Sequence, residues 1–188
     1  MKKLLIILLI SALATLAFGC DSSADTALDD FYSEMERANN YTVVIHSTVT
    51  DSDVYTETVY AFDGANEYER TPESERLYVN SGANTAIYVH SGESWQQTSS
   101  VKNYDAKQFL RYLAPFFNGK LYRYDSRAKI YLLKDDAYSS LQTQGLENVW
   151  CEIDEDAVTI YYNHTVGDQK IITDMQICLV GKTSLPSV

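Results

Sequence analysis

The sequence is poorer in catalytic signatures than its 188 residues would allow. It has no H-E-x-x-H pair, no Walker-type glycine loop, no dinucleotide fingerprint and no G-x-S-x-G nucleophile turn. There are only three histidines, His46, His90 and His164. Each falls in or beside a different expected strand, without the tight local spacing of a zinc site, so all three read as surface or structural residues. Asp51-x-Asp53 and Asp154–Glu155–Asp156 lack the glycine and distal glutamate of a hand-type calcium loop and suit turns instead. Acids are scattered, and nothing singles out a carboxylate pair for glycoside chemistry. No cofactor, no metal and no enzymatic activity are therefore expected. Basic residues are also scarce, 15 Lys and Arg against 26 Asp and Glu. That balance disfavours nucleic acid and anionic membrane surfaces, which need Lys/Arg clusters. Cysteines number three, too few for a disulfide framework. Only three prolines stand against fifteen tyrosines, which argues for many strands and against disorder. Long apolar runs are missing too, with one exception.

That exception is the beginning. Met1–Lys2–Lys3 is a short positive start, Leu4 to Phe18 is apolar or small, and Gly19–Cys20 ends the run. This is the layout of a secretory signal, and the run falls short of the about 20 residues a spanning helix needs. Leu16–Ala17–Phe18–Gly19–Cys20 resembles the lipobox of bacterial lipoproteins, although here Ala17, not Leu, stands three residues before the cysteine. The resemblance implies a diacylglycerol thioether on Cys20, which becomes the first residue of the mature chain. The alternative is ordinary cleavage, for example after Ala17, with Cys20 incidental. The expected division is a signal peptide over 1–19, a lipidated tether over 20–26 and one domain over 27–188. Of the 15 basic residues, Lys2 and Lys3 fall in the signal, which holds no acid; the remaining 13 face 26 acids, formally −13. Membrane attachment must then come from the N-terminal acyl chains, because a surface this negative does not adhere by charge. The expected location is the extracytoplasmic face of the cell membrane.

Leu28, Phe31, Tyr32 and Met35 fall at i, i+3, i+4 and i+7 and predict an amphipathic helix ending at Asn39–Asn40. Strands are expected over 41–50, 54–62, 67–71, 76–80, 85–90 and 94–98, with turn signals about every ten residues, the rhythm of an antiparallel meander. Asp105 then reads as an N-cap with Gln108 as its capping-box partner. Phe109, Leu113, Phe116 and Phe117 give this second helix a wide aromatic face, and Pro115 should bend or stop it near Ala114. A strand over 129–133 and a weak helix or loop over 135–144 lead to three closing strands, 149–153, 158–163 and 170–180. If those three form a meander, Cys151 and Cys178 lie on next-but-one strands, about 10 Å apart, beyond the reach of a disulfide. Both are expected to be free thiols.

A helix running into Asn40–Tyr41–Thr42, the hairpin rhythm and the ending Gly181–Lys182–Thr183–Ser184–Leu185–Pro186 together resemble the lipoprotein-carrier superfamily, the LolA-like and LppX/LprG-like proteins. The resemblance implies an α+β fold: a strongly curved antiparallel sheet, an open half-barrel, with helices covering its concave face. In that family the space between sheet and helices can hold acyl chains. Phe109, Leu110, Leu113, Phe116 and Phe117 are then the cavity candidates for a lipid or other apolar ligand; as bare sequence they favour a helix packed on a sheet, and the resemblance brings the two readings level. Two functions stay open: a membrane-anchored, non-catalytic binder of an apolar ligand, and a protein-interaction or sensor module on the same fold with a filled core. No protein partner can be named.

Overall fold

The computed structural model describes residues 22–141 and 145–188. The signal segment and the lipidation candidate Cys20 lie outside the described residues, as does part of the weak segment over 135–144.

Helix α1 spans Ser22–Ala38. It begins within the stretch expected to be a tether, because no glycine or proline interrupts it before Ala38 and small polar residues do not stop a helix from propagating. Leu28 and Met35 are fully buried, and Phe31 and Tyr32 pack beside them against the core, the stripe that the spacing predicts. Asn39 ends the helix in the left-handed region, φ 48°, with its N–H donating to the Met35 carbonyl at 2.9 Å, a common stop for asparagine.

Six strands follow: β1 Asn40–Val49, β2 Tyr55–Asp63, β3 Asn66–Arg70, β4 Glu75–Asn80, β5 Asn84–Ser91 and β6 Ser94–Lys102. A helical segment then carries α2, Gln108–Leu113, and 3₁₀ turns over Ala114–Phe117 and Gly119–Leu121. Strands β7 Tyr122–Asp125 and β8 Ile130–Leu133, a 3₁₀ stretch over Asp135–Ser140, and β9 Glu147–Asp154, β10 Ala157–Val166 and β11 Gln169–Cys178 complete the chain. All strands join one antiparallel sheet in the order β6-β5-β4-β3-β2-β1-β11-β10-β9-β8-β7. Two meanders therefore meet where β1 pairs β11, with Val43 opposite Ile177 and Ile45 opposite Met175. The sheet does not close: its edges are β6 and β7, and residues 103–121 connect them. The described residues form mostly antiparallel sheet with few helices.

One expectation is corrected, and one strand is added. Asp105 does not cap α2; the helix starts at Gln108 after an uncapped Lys107. Asp105 instead closes a turn before it, with Oδ1 accepting from Lys107 N–H at 3.2 Å and its carbonyl from Gln108 N–H at 3.0 Å. Aspartate competes for backbone donors in turns as readily as at caps. Strand β7 falls in a stretch for which no element is expected, although Tyr122–Asp125 alternates aromatic and polar residues. Its four residues are held by pairing with β8 across a turn that Asp125 Oδ1 ties by accepting from Arg127 and Ala128 N–H. Pro115 acts as expected, since the α-helix gives way to a 3₁₀ turn at Ala114.

The core lies on one sheet face. Ile45, Met175, Ile160, Cys151, Tyr131 and Tyr124 stand opposite one another across six neighbouring strands. Side chains from α1 and from 109–117 join the same cluster. Cys151 and Cys178 are free, with β10 lying between their strands. No described residue of β3–β6 belongs to the core cluster, and β6 is exposed along almost its whole length. Among the described residues no helix is long and apolar enough to cross a membrane.

Candidate functional site

The segment after β6 divides the five cavity candidates. Leu110, Leu113, Phe116 and Phe117 are each at most 3% exposed. Phe117 stacks on Phe31 at 5.8 Å and meets Tyr32 at 5.6 Å, while Phe116 stacks on Tyr162 at 6.2 Å. These four side chains fill the core between α1 and the sheet. Two polar links hold the segment against α1: Tyr32 Oη donates to the Leu110 carbonyl at 3.3 Å, and Gly119 N–H donates to Asp29 Oδ2 at 3.1 Å.

Phe109 alone of the five faces open space. It lines a cleft of about 360 Å³ together with Glu67, Tyr104, Asp105, Gln108 and Tyr112. Its ring also touches Tyr60 at 4.9 Å and Phe62 at 5.5 Å on the sheet below, and Tyr112 at 6.0 Å on its own helix. The cleft thus sits where the core ends, between β3 and the strap of chain leaving β6.

Glu67 forms its polar floor. The register runs Tyr41, Phe62, Glu67, Tyr78 and Ile87 across β1 to β5, so a carboxylate occupies a place flanked by aromatic rings on both neighbouring strands. It is only 9% exposed. The Tyr104 hydroxyl donates a hydrogen bond to its Oε2, and the Tyr104 ring stacks on Tyr78 at 5.0 Å. No Lys, Arg or His pairs with Glu67 among the described residues. Burial raises its pKa, the Tyr104 bond opposes that, and the charge on nearby Glu69 adds to the rise. Burial, with the Glu67 carboxylate beside it, also raises the Tyr104 phenol. Asp105 at the rim is held down by the Arg111 guanidinium that bonds it.

The sequence reading missed Glu67, Tyr104, Asp105, Gln108 and Tyr112 as site residues. One signal was available, an acid at the inward parity of a strand, but it shows only once the register is known. The histidines stand apart from the cleft and from one another. His46 bridges Asp174 and Glu57, His90 Nδ1 lies 3.7 Å from Glu75, and His164 packs beside Tyr162. Among the described residues no group of three His, Cys, Asp or Glu side chains could hold a metal ion. Of the acidic turns, Asp156 pairs with Lys182 at 2.8 Å. The arrangement offers a half-open aromatic cleft with hydrogen-bond acceptors at its floor and rim, suited to holding a small molecule. No known family model and no curated protein matches the chain.

Proposed function

We propose that this protein is an extracytoplasmic lipoprotein, anchored through acyl chains on Cys20, that binds a lipid or another ligand with an apolar body and performs no catalysis on it. The observation that carries the proposal is the cleft of about 360 Å³ between β3 and the 104–112 strap, walled by Phe109 and Tyr112. Its volume falls within the range of small-molecule pockets, and aromatic walls with a few polar groups are their usual composition. The open antiparallel sheet and its long N-terminal helix are in keeping with a LolA-like half-barrel, in which helices cover a concave face. On this reading the ligand enters at the edge of the core and not its centre, because Leu110, Leu113, Phe116 and Phe117 already fill the centre.

The same filling supports the second reading, a protein-interaction or sensor module with a closed core. Binding of the uncharged probe N-phenyl-1-naphthylamine to the full chain in phospholipid nanodiscs separates the two, with protein-free discs as the blank. The binding reading expects saturable fluorescence enhancement that Tyr112→Ala and Phe109→Ala each weaken. Enhancement equal to the blank, or unchanged in both folded variants, refutes it and leaves the interaction module.

A further inference from the structure

We infer that the cleft selects ligands that carry a cationic amine on their apolar body, with Glu67 as the group that recognises the amine. The inference rests on the reading of the cleft as a ligand site. It starts from the anomaly on the cleft floor. Carboxylates buried to this degree are almost always paired, and Glu67 has no cation among the described residues. Tyr104 spends its hydroxyl hydrogen on Glu67, so it has no donor left for a ligand anion. Asp105 adds a second carboxylate at the rim, already neutralised by Arg111. The charged groups of the lining are therefore both carboxylates, while Gln108 and Tyr112 can donate or accept. An anionic headgroup would meet carboxylate oxygens with no lysine or arginine among the lining residues. An ammonium group finds its missing counter-charge in Glu67, through a charge-assisted hydrogen bond.

The rings make the same selection. Phe109 and Tyr112 wall the cleft, and their faces attract a cation as well as an apolar body. The long-range field agrees, because a chain with a formal charge of −11 draws cations and repels anions before contact. A buried acid also destabilises a fold when left unpaired. Its position between Phe62 and Tyr78 is accounted for by a ligand that pairs with it.

The test uses three soluble probes that share one aromatic body and differ in charge: 2-phenylethylammonium, 2-phenylethanol and 3-phenylpropanoate. Each is titrated by calorimetry into the full chain in nanodiscs at pH 7.5, with N-phenyl-1-naphthylamine run in parallel. The ammonium should bind at least about tenfold more tightly than the alcohol, the step expected of one charged hydrogen bond, and the carboxylate most weakly. Glu67→Gln keeps the shape and an acceptor for Tyr104 and should reduce the ammonium preference to under about threefold. Equal binding of the three probes, or a preference for the carboxylate, overturns the inference while the apolar-ligand reading stands. Loss of N-phenyl-1-naphthylamine binding together with all three probes overturns both. If Glu67→Gln fails to fold, the order of the three probes on the unmodified chain decides alone.

Discussion

His46 should make the joint between the two meanders weaken as pH rises. It lies on β1, with Nδ1 2.8 Å from Asp174 Oδ2 on β11 and Nε2 3.2 Å from Glu57 Oε2 on β2. Arg70 holds the other Glu57 oxygen at 2.6 Å, and the Tyr55 ring stacks on the imidazole at 5.6 Å. Burial pulls the His46 pKa down, but hydrogen bonds and charge from Asp174 and Glu57 outweigh it, so the folded value is raised above 6.5. A raised histidine pKa means that the folded state holds the proton more tightly than the unfolded state. The stabilisation is fully present below about pH 6.5 and is lost as pH rises through the folded pKa. The three side chains are 29% to 38% exposed, so each ion pair contributes on the order of 0.5–1 kcal/mol, as partly solvated pairs do. Two pairs give about 1–2 kcal/mol, or roughly 2–8 °C in Tm for a chain of this size. Thermal unfolding followed by circular dichroism between pH 6 and 9 measures it, on the native chain and on His46→Gln. The general repulsion of an acidic chain tilts both curves alike, and the difference between them isolates His46. Native and variant curves that run parallel across the window would refute the clamp.

Three further outcomes are expected. Phe117→Ala removes a 2% exposed ring stacked on Phe31 and should cost about 3–5 kcal/mol, read as a fall in the chemical-denaturation midpoint; a loss under about 1 kcal/mol would mean the segment is not part of the core. Cys151 is fully buried, and burial pushes its thiol up to about 12, so it should resist iodoacetamide in the native chain, while under non-reducing denaturation both Cys151 and Cys178 take up label. A peptide map with neither labelled would mean a disulfide between them and a different strand order. Cys20→Ser should move the protein out of the membrane fraction, and a processed variant that stays membrane-bound would overturn the lipidation reading.

The fold was more legible than the site, for a physical reason. Strand and helix periodicities are local, so the stripe Leu28, Phe31, Tyr32 and Met35, the hairpin turns and the break at Pro115 could be read from neighbouring residues. Pairing is not local. That β1 joins β11 depends on residues more than 120 positions apart coming together, as in His46 with Asp174, and no spacing in the chain announces it. Strand β7 escaped for a related cause: four residues have too little pattern of their own and become a strand by pairing with β8. The aromatic cluster was legible as buried surface, but not as a division between core and cleft. Phe109 and Phe116 are the same residue type on one segment, and only the sheet beneath decides which one meets a gap.

Glu67 shows why that gap lies where it does. The apolar rows that β1, β2 and β7–β11 bring to the core stop at β3, where the row beginning with Tyr41 and Phe62 meets a carboxylate. Burying an acid there costs stability unless something pairs with it, and the raised pKa of Glu67 registers that cost as a preference for the proton. Stability should therefore fall as pH rises from the ordinary glutamate range through the folded pKa of Glu67, since the folded state holds that proton more tightly than the unfolded chain. A ligand amine reverses the balance by supplying the charge that the protein withholds. The strap over 104–112 then has two faces with different work. Leu110 and Leu113 tie it to the core, while Phe109, Tyr112 and Tyr104 close over Glu67 at its edge. A cleft built at the edge of a filled core needs no emptied interior, so ligand binding and tight packing around Phe116 and Phe117 can coexist in one small domain.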